Sequence, residues 1–76
     1  MLVLLETLAR ALVSRPDQVS VTSRSRDGRL HLELRVAPED RGRVIGRAGR
    51  TADSLRTLLD VVARQRGEQC DLEIVE

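Results

Sequence analysis

Between positions 41 and 51 the chain reads Arg41-Gly42-Arg43-Val44-Ile45-Gly46-Arg47-Ala48-Gly49-Arg50-Thr51. Four of the chain's basic residues, Arg41, Arg43, Arg47 and Arg50, lie around Gly46 and Gly49. Glycine carries no Cβ, so another backbone can approach it closely. A helix that starts just after such a loop offers unpaired N–H groups and the positive end of its dipole, both of which favour an anion. Arg47, Arg50 and Arg43 add charge around that position, and Thr51 offers a hydroxyl or a helix cap. The chemistry of the stretch is therefore phosphate recognition. The bland alternative is that Gly46 ends one helix and Gly49 opens the next.

Other site chemistries are poorly served. A Walker loop needs four residues between its glycines followed by Lys-Ser/Thr, and the glycines here are not spaced as G-x-G-x-x-G. His31 is the sole histidine and Cys70 the sole cysteine, too few for a Cys/His zinc site. His31 falls on the polar side of a strand pattern and reads as solvated; Cys70 falls on the apolar side and reads as core. The twelve acids are scattered, with no pair placed for acid–base work. No nucleophile–base set is present, so the chain reads as a non-enzyme that needs no cofactor and no metal.

The elements that must hold this stretch follow from hydropathy. Leu5, Leu8, Ala9 and Leu12 form one helical face over roughly residues 2–14, closed by Arg15-Pro16-Asp17. Val19 and Val21 alternate with polar residues as in a strand. Asp27-Gly28 predicts a tight hairpin, because both central positions of a type I′ turn need positive φ. Leu30, Leu32, Leu34 and Val36 form the return strand. Pro38 followed by Glu39 and Asp40 marks a helix start, ended at Gly46. A longer helix begins near Arg50 or Thr51 with Ala52, Leu55, Leu58, Leu59 and Val62 on its apolar face and Gly67 as C-terminal cap. Cys70, Leu72 and Ile74 alternate in a last strand. The expected fold is α+β, in the order α-β-β-α-α-β, with a three-stranded sheet under three helices in two layers. The order of the strands in the sheet stays open.

The 76 residues leave room for one domain, taken as 1–76. A domain of this size buries only about 60% of its unfolded surface, so pairing with another chain is a natural way to bury more. There is no Phe, Tyr or Trp, so the core is aliphatic and those base-stacking platforms are missing. The net charge of +1 gives no bulk argument for nucleic acid; the argument rests on where the arginines lie. All 13 basic residues are Arg, the side chain suited to bidentate phosphate contact. The apolar run at Met1–Leu5 is short and broken by Glu6 and Arg10, unlike a signal peptide or a membrane span. A soluble, cytoplasmic protein is expected, with no small-molecule substrate and no membrane.

The segment Val44-Ile45-Gly46-Arg47-Ala48-Gly49-Arg50-Thr51 resembles the signature of KH domains, in which a V-I-G-x-x-G loop joins two helices. The element order is similar to the bacterial, type II, arrangement. From Leu2 to Val75 the chain resembles the KhpA family of short bacterial single-KH proteins, notably in Arg35-Val36-Ala37-Pro38-Glu39-Asp40 leading into the loop and in Gly49-Arg50-Thr51-Ala52 with Leu55-Arg56-Thr57-Leu58-Leu59 beyond it. The resemblance implies single-stranded RNA binding, the loop holding about four backbone nucleotides. It places Gly46, Arg47, Ala48 and Gly49 on phosphates and Ile45, Ala52 and Leu55 along the apolar groove where bases lie. It implies self-association or pairing with a larger KH protein, KhpB, and a role as an RNA chaperone in post-transcriptional control affecting cell elongation and envelope homeostasis. Two departures matter: Arg47 stands where such loops often carry Lys, and Asp53 puts an acid near the start of the following helix. Two other functions remain open from the residues: a protein-interaction and dimerisation module that binds RNA weakly or not at all, and a binder of single-stranded DNA.

Overall fold

The computed structural model describes residues 1–75. Its elements run α1 (Leu2–Leu12), β1 (Ser20–Arg26), β2 (Arg29–Arg35), α2 (Arg41–Ile45), α3 (Arg50–Gln65) and β3 (Gln69–Val75), with short 3-10 turns at Pro16–Gln18, Pro38–Asp40 and Arg47–Gly49. The order α-β-β-α-α-β is the expected one. The first helix stops two residues short of the expected end: Val13 is already extended, with φ −99° and ψ 161°. The physical reason lies 26 residues away, in the side chain of Asp40, which claims the amides of Ser14 and Arg15.

The hairpin forms as the Asp27-Gly28 pair requires, with φ of 52° and 76° at its two central residues. β1 and β2 pair antiparallel, from Ser20 opposite Arg35 to Arg26 opposite Arg29. β3 joins the other side of β2 in parallel, from Arg29 opposite Gln69 to Arg35 opposite Val75. The sheet order is β1-β2-β3, with the strands of the parallel pair joined through α2 and α3. α3 ends in a Schellman cap, the Glu68 N–H reaching Ala63 O and the Gly67 N–H reaching Arg64 O. β3 therefore doubles back along α3, and its first amide, on Gln69, meets Gly28 O of the hairpin at 3.3 Å.

Leu32 and Leu34 of β2 and Leu72 of β3 point to one face, where they meet Leu5 and Ala9 of α1, Val44 of α2 and Leu55 and Leu59 of α3. Leu5, Leu32, Leu34, Leu59 and Val44 are fully buried. Each such side chain contributes about 1.5–3 kcal/mol of transfer free energy, and with no aromatic ring in the chain the core depends on them. Three expected core positions lie elsewhere. Leu12 and Leu58 are exposed, at 36% and 41%, because the buried arc of each helix is narrower than its apolar arc. Cys70 is half-buried and packs against the edge of the core. Desolvation there, with Asp60, Asp71 and Glu68 nearby, raises its thiol pKa. The other face of the sheet carries no helix. No helix of the described residues is long and apolar enough to cross a membrane.

Candidate nucleic-acid interface

The Gly46–Gly49 loop is a backbone structure first. The Gly46 N–H closes α2 onto Gly42 O at 2.8 Å, and Gly46 itself takes φ 77° and ψ 173°. A Cβ built there would lie against the Thr51 side chain and 2.8 Å from the Thr51 backbone nitrogen. Conformation and space thus both demand glycine, and the role of Thr51 is to wall this turn. The cap of α3 is Gly49, with no side-chain cap bond, so of the two uses open to Thr51, a helix cap or a hydroxyl, the cap does not occur. The turn continues with the Gly49 N–H on Gly46 O at 3.1 Å and the Arg50 N–H on Arg47 O. Between them Ala48 sits at φ 55° and ψ 28°. A left-handed alanine costs about 1–2 kcal/mol, and such strain persists only where the surroundings impose it.

Arg47 and Ala48 are exposed at the tip, and Arg50 is exposed at the first turn of α3. Among the described residues no carboxylate is ion-paired with Arg47 or Arg50. Arg43 is differently placed: its Nε lies 3.7 Å from Asp40 Oδ1. Asp53, the acid expected to oppose an anion, accepts a bond from Arg56 Nη1 at 3.3 Å instead. Ile45 is 37% exposed beside the loop, whereas Ala52 and Leu55 are 3% and 6% exposed. Of the three groove residues implied by the resemblance, Ile45 offers surface to a ligand, and Ala52 and Leu55 support it from the core.

Asp40 is the residue that sequence reading missed. Its acid looked like a dipole partner for the helix start, yet its carboxylate is buried. It accepts the Ser14 N–H at 2.9 Å, the Ser14 hydroxyl at 2.8 Å and the Arg15 N–H at 3.1 Å. The Ser14 amide above all, then its hydroxyl, the Arg15 amide and the Arg43 charge, hold its pKa below 3.8 against the opposing pull of burial. This carboxylate fastens the exit of α1 to the entrance of α2 and so holds the loop in place. No local signal marks it, because its partners are distant in sequence.

The parallel register also gathers His31, Glu33 and Glu73, whose ligand atoms lie within 4.8 Å of one another on the helix-free face. His31 Nε2 is 3.5 Å from Glu73 Oε2, and the Thr22 hydroxyl donates to Glu33 at 3.2 Å. The grouping appears only once β3 is placed beside β2; within it His31 pairs with Glu73, while Glu33 is engaged by Thr22.

The family model described as KhpA/KhpB, KH domain, matches residues 3–74. The chain is 43% identical to the RNA-binding protein KhpA of Clostridium acetobutylicum over 72 residues, covering 95% of this chain and 96% of that one. It is 48% identical to the RNA-binding protein KhpA of Treponema pallidum over 73 residues (96% and 91%). It is 49% identical to that of Streptomyces coelicolor over 73 residues (95% and 90%). No solved structure matches the chain.

Proposed function

The chain belongs to the KhpA/KhpB family of KH domains, and from that membership we propose that it binds single-stranded RNA, with the Gly46–Gly49 loop against the sugar–phosphate backbone. The observation that carries this reading is a strained, glycine-dependent turn with Arg47 and Arg50 exposed beside it, neither paired with a carboxylate among the described residues. The names of the relatives, all RNA-binding proteins, support it. Arg47 and Arg50 meet phosphates, Ile45 borders the bases, and the loop backbone is close enough to the strand for Gly46 and Gly49 to matter. Unpaired strands bind in preference to duplex, because bases must leave a stack to reach the groove. With three or four phosphates neutralised, log K falls with log salt at a slope of about −2 to −3.

The test is the double variant Arg47→Asp with Ala48→Asp, titrated with a fluorescent single-stranded RNA. Aspartate tolerates the left-handed conformation of position 48 better than most residues, so the fold persists. Losing one charge-assisted contact costs about 1.5–3 kcal/mol, and repulsion adds to it, so affinity falls at least about tenfold. A folded double variant that binds as tightly as the parent sinks the assignment. Gly46→Asp cannot serve, because its Cβ would enter Thr51.

A second reading, pairing between chains, is favoured by one observation. Leu58 and Val61 on α3 are 41% and 46% exposed, and they form the apolar part of a shallow strip whose other walls are Ser54, Thr57 and, at the loop end, Arg50 and Asp53. The proposal therefore includes a homodimer through this strip, or pairing of the same strip with a KhpB-like KH protein. The two functions support each other, since linking two weak sites strengthens both. It extends to an RNA-chaperone role in post-transcriptional control affecting cell elongation and envelope homeostasis, in the cytoplasm. Sedimentation of Leu58→Glu beside the parent tests the pairing: the parent runs as a dimer and the variant as a monomer.

A further inference from the structure

The end of the molecule opposite the loop carries a second group of arginines. A helix of 16 residues is about 24 Å long, and α3 separates its N-terminal loop from the hairpin that Gln69 touches at its other end. The molecule is 34 Å in its longest dimension. On the helix-free face of the sheet, the register puts Arg26 directly opposite Arg29, and Arg24 directly opposite His31. Together they line a cleft of about 580 Å³ with Asp27 and Asp71. Of these two acids, Asp71 is held by Arg29 through contacts of 2.8 and 2.9 Å. Among the described residues Arg24 and Arg26 have no ion pair.

Arg29 is already engaged by Asp71 and by Gln69 Oε1 at 2.6 Å, so the charges left for an anion at the cleft are those of Arg24 and Arg26, which project from the same face of β1. We propose that the hairpin cleft is a second contact site for the phosphates of an RNA strand, reached by strands longer than the loop alone can hold. The inference rests on the RNA-binding reading of the loop. Planar guanidinium groups suit bidentate phosphate contact. The cleft is open and is lined by three arginines, with the His31 imidazole as the one ring among its lining residues, so its contribution is chiefly electrostatic and depends little on sequence.

Arginines on an edge strand also have a plainer use, as charges that keep sheet edges from pairing. The double variant Arg24→Glu with Arg26→Glu separates the two, because it keeps the edge charged. Its affinity is compared with the parent's for two single-stranded RNAs, one of about five nucleotides that fills the loop and one of about twenty. Short-strand affinity stays within about twofold, while long-strand affinity falls about tenfold and the salt slope shrinks by about 1.4, two contacts at about 0.7 each. A control, Arg10→Glu with Arg15→Glu, makes the same change of charge where the arginines already pair with Glu6 and Glu39. Unchanged long-strand binding in the hairpin variant overturns the proposal, as does an equal loss in the control. A parent protein that binds neither RNA overturns the reading of the loop as well, so the two failures are told apart.

Discussion

The loop at the start of α3 and the hairpin beyond its end are both glycine turns flanked by arginines, and they are built by different means. At Gly46 the turn is pressed into the fold: α2 closes on it, Thr51 walls it, and buried Asp40 anchors the segment that leads to it. At Gly28 the turn projects, φ is 76°, and a Cβ would meet nothing within 4 Å. The same local composition therefore serves two mechanical states. The first turn is local in its shape but packed against Thr51 and approached from the Asp40 anchor, and the second is left without such support. A site that must meet a ligand in one geometry gains from the first; a site that supplies only charge can use the second.

The comparison breaks most directly at the two glycines. Gly46→Ala meets both strain and a backbone clash, and costs about 3 kcal/mol or more. Gly28→Ala meets only the left-handed conformation, and costs about 1–2 kcal/mol. Urea denaturation of the two variants measures the gap, and equal losses would show that the packing of the loop against Thr51 carries no weight.

Asp40 sharpens the same contrast through pH. Its folded-state pKa is lowered, so its contribution is complete above the ordinary value of 3.8 and is lost as pH falls below that through the folded value. Asp40→Asn lowers stability at neutral pH, since the new amide N–H group faces a backbone N–H donor. It also flattens the acid side of the stability profile, measured by thermal melts from neutral pH down to the acid limb. A variant that melts like the parent at neutral pH would remove Asp40 as the anchor.

The smallest effect expected is at Ala48. Glycine relieves its left-handed strain but gives back part of the gain as unfolded-state entropy, leaving the protein more stable by about 0.5 kcal/mol. A rise in Tm without a rise in RNA affinity is the expected pair of results. A loss of stability would mean that the strain at position 48 is absent.

What the amino-acid order determined by itself is everything written in short-range terms. The Asp27-Gly28 turn, the strand alternation at Leu30–Val36, the cap at Gly67 and the two-glycine loop all depend on residues within a few positions, whose preferred dihedrals and periodicities are intrinsic. The family resemblance is legible for the same reason, being a contiguous string around Gly46 and Gly49. Only the tertiary structure decided which apolar residues are core: Leu58 follows the helical period yet stays exposed, because burial depends on what another element covers. It also decided that Asp40 caps a segment distant in sequence and that Asp71 of β3 meets Arg29 of β2. These depend on strand register and on helices docking against the sheet. Such contacts join residues far apart along the chain, and no local preference encodes the partner.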